Sequence, residues 1–92
     1  MIVFSAAQVA SHLSTLPAWK VENGELTRTF LFQDFRAALR FVNLIAELAE
    51  EAGHHPDIDI RYNRVRLGLA THDAGGLTAK DFDLAVCIDK LI

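Results

Sequence analysis

The sequence predicts an α+β fold: a four-stranded antiparallel sheet with three helices on one face, in the order α-β-β-α-β-β-α. Three observations predict it. Apolar residues recur at helical spacing in three stretches, and four shorter stretches alternate apolar and polar residues with period two. Asn23-Gly24 and Asn63 then mark turns that join the strands in pairs, which makes two hairpins. Helices that share a chain with hairpins of this kind segregate to one side of the sheet.

The first helix starts at Ser5, which forms a capping box with Gln8 three residues later, while Phe4 can staple onto Val9. Ala6, Val9, Ala10, Leu13 and Leu16 follow at helical spacing until Pro17. His12 lies off that stripe and is expected in solvent. Trp19 and Val21 alternate with Lys20 and Glu22 in the first strand. Asn23-Gly24 is the pair a tight type I′ turn favours. Leu26 to Phe32 is the second strand, with Phe30 and Phe32 on one face and Thr27, Thr29 and Leu31 on the other. Trp19 offers either a stacking surface for a ligand ring or core packing in the hairpin, and core packing is the simpler account.

Asp34 is placed to cap the longest helix, Phe35 to Ala52. At 100° per residue, Phe35, Ala38, Leu39, Val42, Ile45, Ala46 and Ala49 make one apolar face, and Phe41, Leu44 and Leu48 widen it. A helix on a sheet needs one stripe, so the surplus calls for a neighbouring helix or a second subunit. Glu50 sits at the border of the polar and apolar faces. Gly53 ends the helix in a left-handed conformation, and Pro56 biases His55 toward extended backbone. Ile58, Ile60 and Tyr62 alternate with Asp57, Asp59 and Arg61 in a half-buried third strand, and Asn63 marks the turn. Val65, Leu67 and Leu69 line one face of the fourth strand. Ala74-Gly75-Gly76 is expected as a flexible link. The last helix runs from the cap at Thr78 to Ile92, with Asp81 completing a second capping box. Leu84, Ala85, Ile88, Leu91 and Ile92 form its core stripe, Phe82 and Val86 a smaller patch, and Cys87 a small buried side chain.

The 92 residues, 51% of them hydrophobic, suit one domain over 1–92 with one core. So short a chain buries a modest fraction of its surface, a shortage that oligomers relieve. A net charge of −3 argues against nucleic-acid binding, which relies on clustered Lys and Arg. No apolar run approaches the roughly 20 residues that span a bilayer, and no basic-then-apolar leader opens the chain. Cys87 is the one cysteine, so no internal disulfide or Cys-rich zinc pattern exists. By elimination the expected location is the cytoplasm.

The unusual chemistry lies between Glu50 and Asp81, which holds three of the four histidines. His54 and His55 precede the third strand, and His72 and Asp73 follow the fourth. In an antiparallel pair those positions share one end of the sheet, and Glu50 and Thr78 fall nearby. Three readings compete for the cluster. A tri-histidine zinc site is disfavoured, because adjacent residues in extended chain point to opposite sides and neither HxH nor HxxxH spacing occurs. A structural role would use the rings to cap backbone groups. Proton transfer near neutral pH is the third reading, for which imidazole is suited.

Glu50, His54-His55-Pro56, Tyr62, His72 and Asp81, with the stretch Thr71 to Thr78 before the last helix, resemble the signature of the pterin-4a-carbinolamine dehydratases. The resemblance extends to Trp19, the Leu26–Phe32 strand, the Phe35–Glu50 helix and Leu84-Ala85. It implies an enzyme that removes water from 4a-hydroxytetrahydropterin to give quinonoid dihydropterin, recycling the pterin of aromatic amino-acid hydroxylases. It implies the same α+β fold, no cofactor or metal, and a homodimer or homotetramer. His54, His55 and His72 would then contact substrate and move protons. Pro56, Thr71 and Asp73 would line the same pocket, and Glu50 and Asp81 would hold or polarise the histidines. The Thr78–Asp81 spacing is also that of a plain capping box. Gly53 is a departure, because some members carry an aspartate there that would contact the substrate. Animal members also help a homeodomain transcription factor dimerise, so the alternative is a protein-binding module that needs no catalysis. The wide apolar faces of the second and third helices would then be its surfaces.

Overall fold

A computed structural model describes all 92 residues. The elements are α1 (Ala6–Leu13), β1 (Lys20–Glu22), β2 (Glu25–Leu31), α2 (Phe35–Ala52), β3 (Asp57–Arg61), β4 (Arg64–Leu69) and α3 (Ala79–Asp89). The strands form one antiparallel sheet in the order β1-β2-β4-β3, with the helices on one face, as the alternation pattern predicts. The two hairpins are thus joined through β2 and β4, where Leu26 faces Leu69, Arg28 faces Leu67 and Phe30 faces Val65. These apolar residues are buried with Ala38, Phe41 and Ile45 of α2 and Phe82, Leu84, Ala85 and Ile88 of α3.

The local signals act where the sequence puts them. Ser5 and Thr78 both form capping boxes, and Asp34 caps α2 by accepting from Ala37 N. Asn23 and Gly24 take left-handed φ values of 51° and 78°, the geometry a tight hairpin requires. Trp19 is buried, packs edge-on against Phe30 and donates from Nε1 to Asp89 Oδ1 at 2.8 Å. The same oxygen accepts from Arg28 Nη1 at 2.6 Å, and that guanidinium lies 4.3 Å from the Phe30 ring centre. Trp19 therefore belongs to the core and pins the end of α3 to the first hairpin.

Several expectations are corrected. β3 is exposed along its whole length, not half-buried. Its register with Val65 and Leu67 turns Ile58 and Ile60 toward the helical side, but it is the sheet's edge and the helices cover β2 and β4 instead. The turn after β3 comprises Tyr62 and Asn63, with Tyr62 at φ 53° rather than within the strand. Asn63 is held otherwise: its side-chain amide donates to Phe32 O at 2.9 Å and its carbonyl accepts from Phe32 N at 2.9 Å. The left-handed strain therefore falls on its bulkier neighbour.

The buried stripe of α2 is Ala38, Phe41, Ile45 and Ala49; Phe35, Leu44 and Ala46 face outward. Phe82 belongs to the core, Val86 and Ile92 do not, and Cys87 is exposed. Ala74-Gly75-Gly76 is no loose link. Thr71 and Gly76 form a bridge that closes the turn, with Gly75 at φ 80°. His12 is exposed as expected, yet its ring stacks on Phe4 at 4.7 Å between centres.

Asp89→Ala would leave the buried indole N–H without an acceptor and Arg28 without its partner. The expected loss is about 1–3 kcal/mol of unfolding free energy in urea titration; a loss near zero would mean that water replaces the carboxylate freely.

Candidate active site

Gly53 closes α2 in the left-handed conformation, φ 61° and ψ 33°. With no Cβ to resist that geometry, the chain turns sharply and presents His54 and His55 in opposite directions. His54 points into the molecule: its Nε2 lies 2.6 Å from Asp81 Oδ1, and its side chain is 10% exposed. His55 points back along α2, with Nε2 2.5 Å from Glu50 Oε2, and that pair is 65% and 74% exposed.

Asp81 is fully buried at the first turn of α3. Its Oδ2 accepts from the Thr78 backbone N–H and from the Thr71 hydroxyl, both at 2.9 Å. The Thr71 proton being committed to Asp81, the Thr78 hydroxyl donates to Thr71 Oγ1 at 2.8 Å, and it accepts in turn from Lys80 N at 3.3 Å. A carboxylate only accepts, so His54 donates from Nε2 and carries its proton there. Every buried side-chain polar atom has a partner, and His54 Nδ1 makes no protein hydrogen bond. That nitrogen therefore reaches open space without a protein partner. The capping role and the histidine-holding role of Asp81 are not alternatives: one oxygen performs each.

A pocket of about 240 Å³ is lined by His54, His55, His72, Thr71 and Asp73, together with Gly53, Ala70 and Lys80. The hairpin argument thus brings all three imidazoles to one hollow. Glu50 and Asp81 stand behind the histidines they bond rather than in the lining, and Pro56 is half-buried outside it. Tyr62 lies at the far end of the β3–β4 hairpin from this pocket. The closed Thr71–Gly76 turn carries His72 and Asp73, both exposed. Lys80 went unnoticed in the sequence; its position two residues after the Thr78 cap, beside Asp81, was the available signal. No three His, Cys, Asp or Glu side chains converge in a way that could hold a metal ion.

The two histidine–carboxylate pairs differ in energy because they differ in burial. Asp81→Ala would strand three donors in a largely dry interior and is expected to cost about 3–5 kcal/mol, since each buried donor left without a partner costs about 1–3 kcal/mol. Glu50→Ala removes an exposed pair and should cost about 0–1 kcal/mol. Denaturant unfolding of both variants checks this, and similar losses would contradict the assignment of Asp81 as the buried anchor.

Comparison with known proteins shows the family and the fold. The family model described as pterin 4 alpha carbinolamine dehydratase matches residues 3–91. A protein of Acidobacterium capsulatum, provisionally named a pterin-4-alpha-carbinolamine dehydratase, is 63% identical over 84 residues, covering 91% of each chain. A Chloroflexus aurantiacus protein with the same provisional name is 60% identical over 88 residues, covering 96% of this chain and 95% of its own. Among solved structures, a transcriptional coactivator/pterin dehydratase from Brucella melitensis superposes with a TM-score of 0.93 at 32% identity, over 98% of both chains. A pterin dehydratase-like protein identified as a RuBisCO assembly factor in the alpha-carboxysome shares the fold, with a TM-score of 0.64 at 24% identity over 79% of this chain and 84% of its own.

Proposed function

Because the chain belongs to the pterin 4 alpha carbinolamine dehydratase family, we propose that it dehydrates 4a-hydroxytetrahydropterin to quinonoid dihydropterin by histidine acid–base catalysis. The observation that carries the reading is the meeting of His54, His55 and His72 in one pocket. The reaction breaks the C4a–O bond, and an acid must protonate the departing oxygen so that it leaves as water. A base takes the N5 proton, and the N–H electron pair becomes the C4a=N5 bond. No electrons are gained or lost overall, so two proton-transfer groups suffice.

The surroundings of each ring suggest its part. His54 is the most enclosed, and with its Nε2 bonded to Asp81 it is Nδ1 that can take a proton from the pocket. It is the base in this reading, aimed at N5–H. His72 and His55 are exposed to solvent, into which the water can depart. They supply the acid. Asp81 acts through His54 as a positioning residue: its buried carboxylate fixes the ring and its tautomer, as a carboxylate does for a histidine base elsewhere. Glu50 orients His55 in the same way, more weakly because its pair lies in water. Thr71 and Asp73 offer hydrogen bonds to the polar edges of the pterin. Return of the product pterin to aromatic amino-acid hydroxylases is the role proposed in the cell, in the cytoplasm.

Exposed apolar side chains favour self-association as well. Phe35 and Leu44 on α2 and Ile58 and Ile60 on the free edge strand β3 are uncovered. The proposal is a homodimer or homotetramer, with a protein-binding module as the second reading of the same surfaces. Light scattering after size exclusion should give two or four chains; a stable monomer would favour a different partner for these faces.

The reaction itself is followed by the ultraviolet absorbance of freshly made carbinolamine. The protein should accelerate its loss, and His54→Ala or His72→Ala should lower kcat/KM by about 10²–10⁴-fold, the usual worth of a placed proton donor or acceptor. Equal rates with and without the unmodified protein would reject the enzyme reading.

A further inference from the structure

Two hollows meet at His54. Beside the histidine pocket, a groove of about 310 Å³ runs between α2 and α3 and shares His54 and Lys80 with it. Leu48, Leu84 and Cys87 give the groove an apolar lining, and Glu51 and Asp83 add two carboxylates to the Lys80 ammonium. Pockets that enclose a whole small ligand measure about 300–1,000 Å³. The histidine pocket alone, about 240 Å³, falls below that range, and the two hollows together fall within it.

We propose that the α2–α3 groove is the subsite for the substituent on C6 of the pterin, and that it takes a short, neutral, hydroxyl-bearing chain. The proposal rests on the dehydratase reading above and deepens it. In a pterin, C6 is bonded directly to N5. A histidine that removes the N5 proton therefore has the C6 substituent on one side and the C4 carbonyl on the other, while the N1–C2–N3 edge of the ring points away. His54 is that histidine, and it is a wall common to both hollows. With N5 at His54, the ring lies among the imidazoles and its C6 chain passes His54 into the groove. The carbon skeleton of that chain rests on Leu48 and Leu84. Its hydroxyls meet the Glu51 and Asp83 carboxylates, which accept hydrogen bonds from a hydroxyl and repel a carboxylate or phosphate. With two carboxylates against the one Lys80 ammonium, the lining is net negative and disfavours an anionic tail.

Two variants fill the groove from its two walls: Cys87→Trp on α3 and Ala52→Phe on α2, both at exposed positions. The measurement is kcat/KM for the carbinolamine with a dihydroxypropyl group at C6 against that with a methyl group at C6. Each variant should lower the ratio of the first to the second by about tenfold or more, the scale on which a filled or emptied methylene-sized space discriminates substrates. The thiol gives an independent readout in the unmodified protein: biopterin should slow alkylation of Cys87 by N-ethylmaleimide, and 6-methylpterin should not. An unchanged ratio in both variants, or equal protection by the two pterins, would overturn the groove as the C6 subsite while leaving the dehydratase reading intact. Turnover of neither substrate by the unmodified protein would overturn that reading and the groove with it.

Discussion

The buried carboxylate of Asp81 is the constraint on which the rest of the site depends. It joins three segments that are distant in sequence: the exit of α2 at His54, the end of β4 at Thr71 and the start of α3 at Thr78. A fully buried carboxylate survives in a protein interior only when its oxygens are satisfied, and here each oxygen has its own task. Oδ2 closes the start of α3 and gathers Thr71, while Oδ1 fixes one imidazole. Removing the charge would therefore loosen the fold and release the His54 ring together. The carboxylate that stabilises the start of α3 through one oxygen is the one that holds His54 through the other.

Topology does the remaining work. Since β3 and β4 are joined by a two-residue turn, the chain enters β3 and leaves β4 at one end of the sheet. His54 and His55 enter there, and His72 and Asp73 leave there. Gly53 adds the sharp exit from α2 that sends one histidine inward to α3 and the other outward to Glu50. The result is a graded trio: one ring enclosed and bonded to a buried carboxylate, one paired at the surface, and one exposed on a closed turn. A reaction that must take a proton from one part of a flat substrate and give a proton at another can use that asymmetry.

Much of this was legible in the chain because it is written in local signals. Caps at Ser5, Asp34 and Thr78, the left-handed Gly53 and the Asn23-Gly24 turn each act within a few residues, so their sequence spacing suffices. The convergence of the histidines followed from hairpin geometry alone. What the residues did not disclose depends on long-range placement. Alternation in β3 says that Ile58 and Ile60 share a face, but not that the strand ends up at the sheet's edge beyond the helices. The helical wheel of α2 marks a wide apolar arc without saying which part meets β4, so Phe35 and Ala46 were placed inward and lie outward. Cys87 and Lys80 are brought to one wall by the crevice between α2 and α3, which no single stretch encodes.

The central claim is that one flat heterocycle lies among the three imidazoles with its N5 edge at His54. A crystal structure of the protein with a tetrahydropterin, kept from oxygen so that N5 retains its proton, tests it most directly. The account predicts the ring in the pocket lined by His54, His55 and His72, with N5 within hydrogen-bonding distance of His54 Nδ1. A ring bound elsewhere, or bound there with its pyrimidine edge at His54, would contradict it.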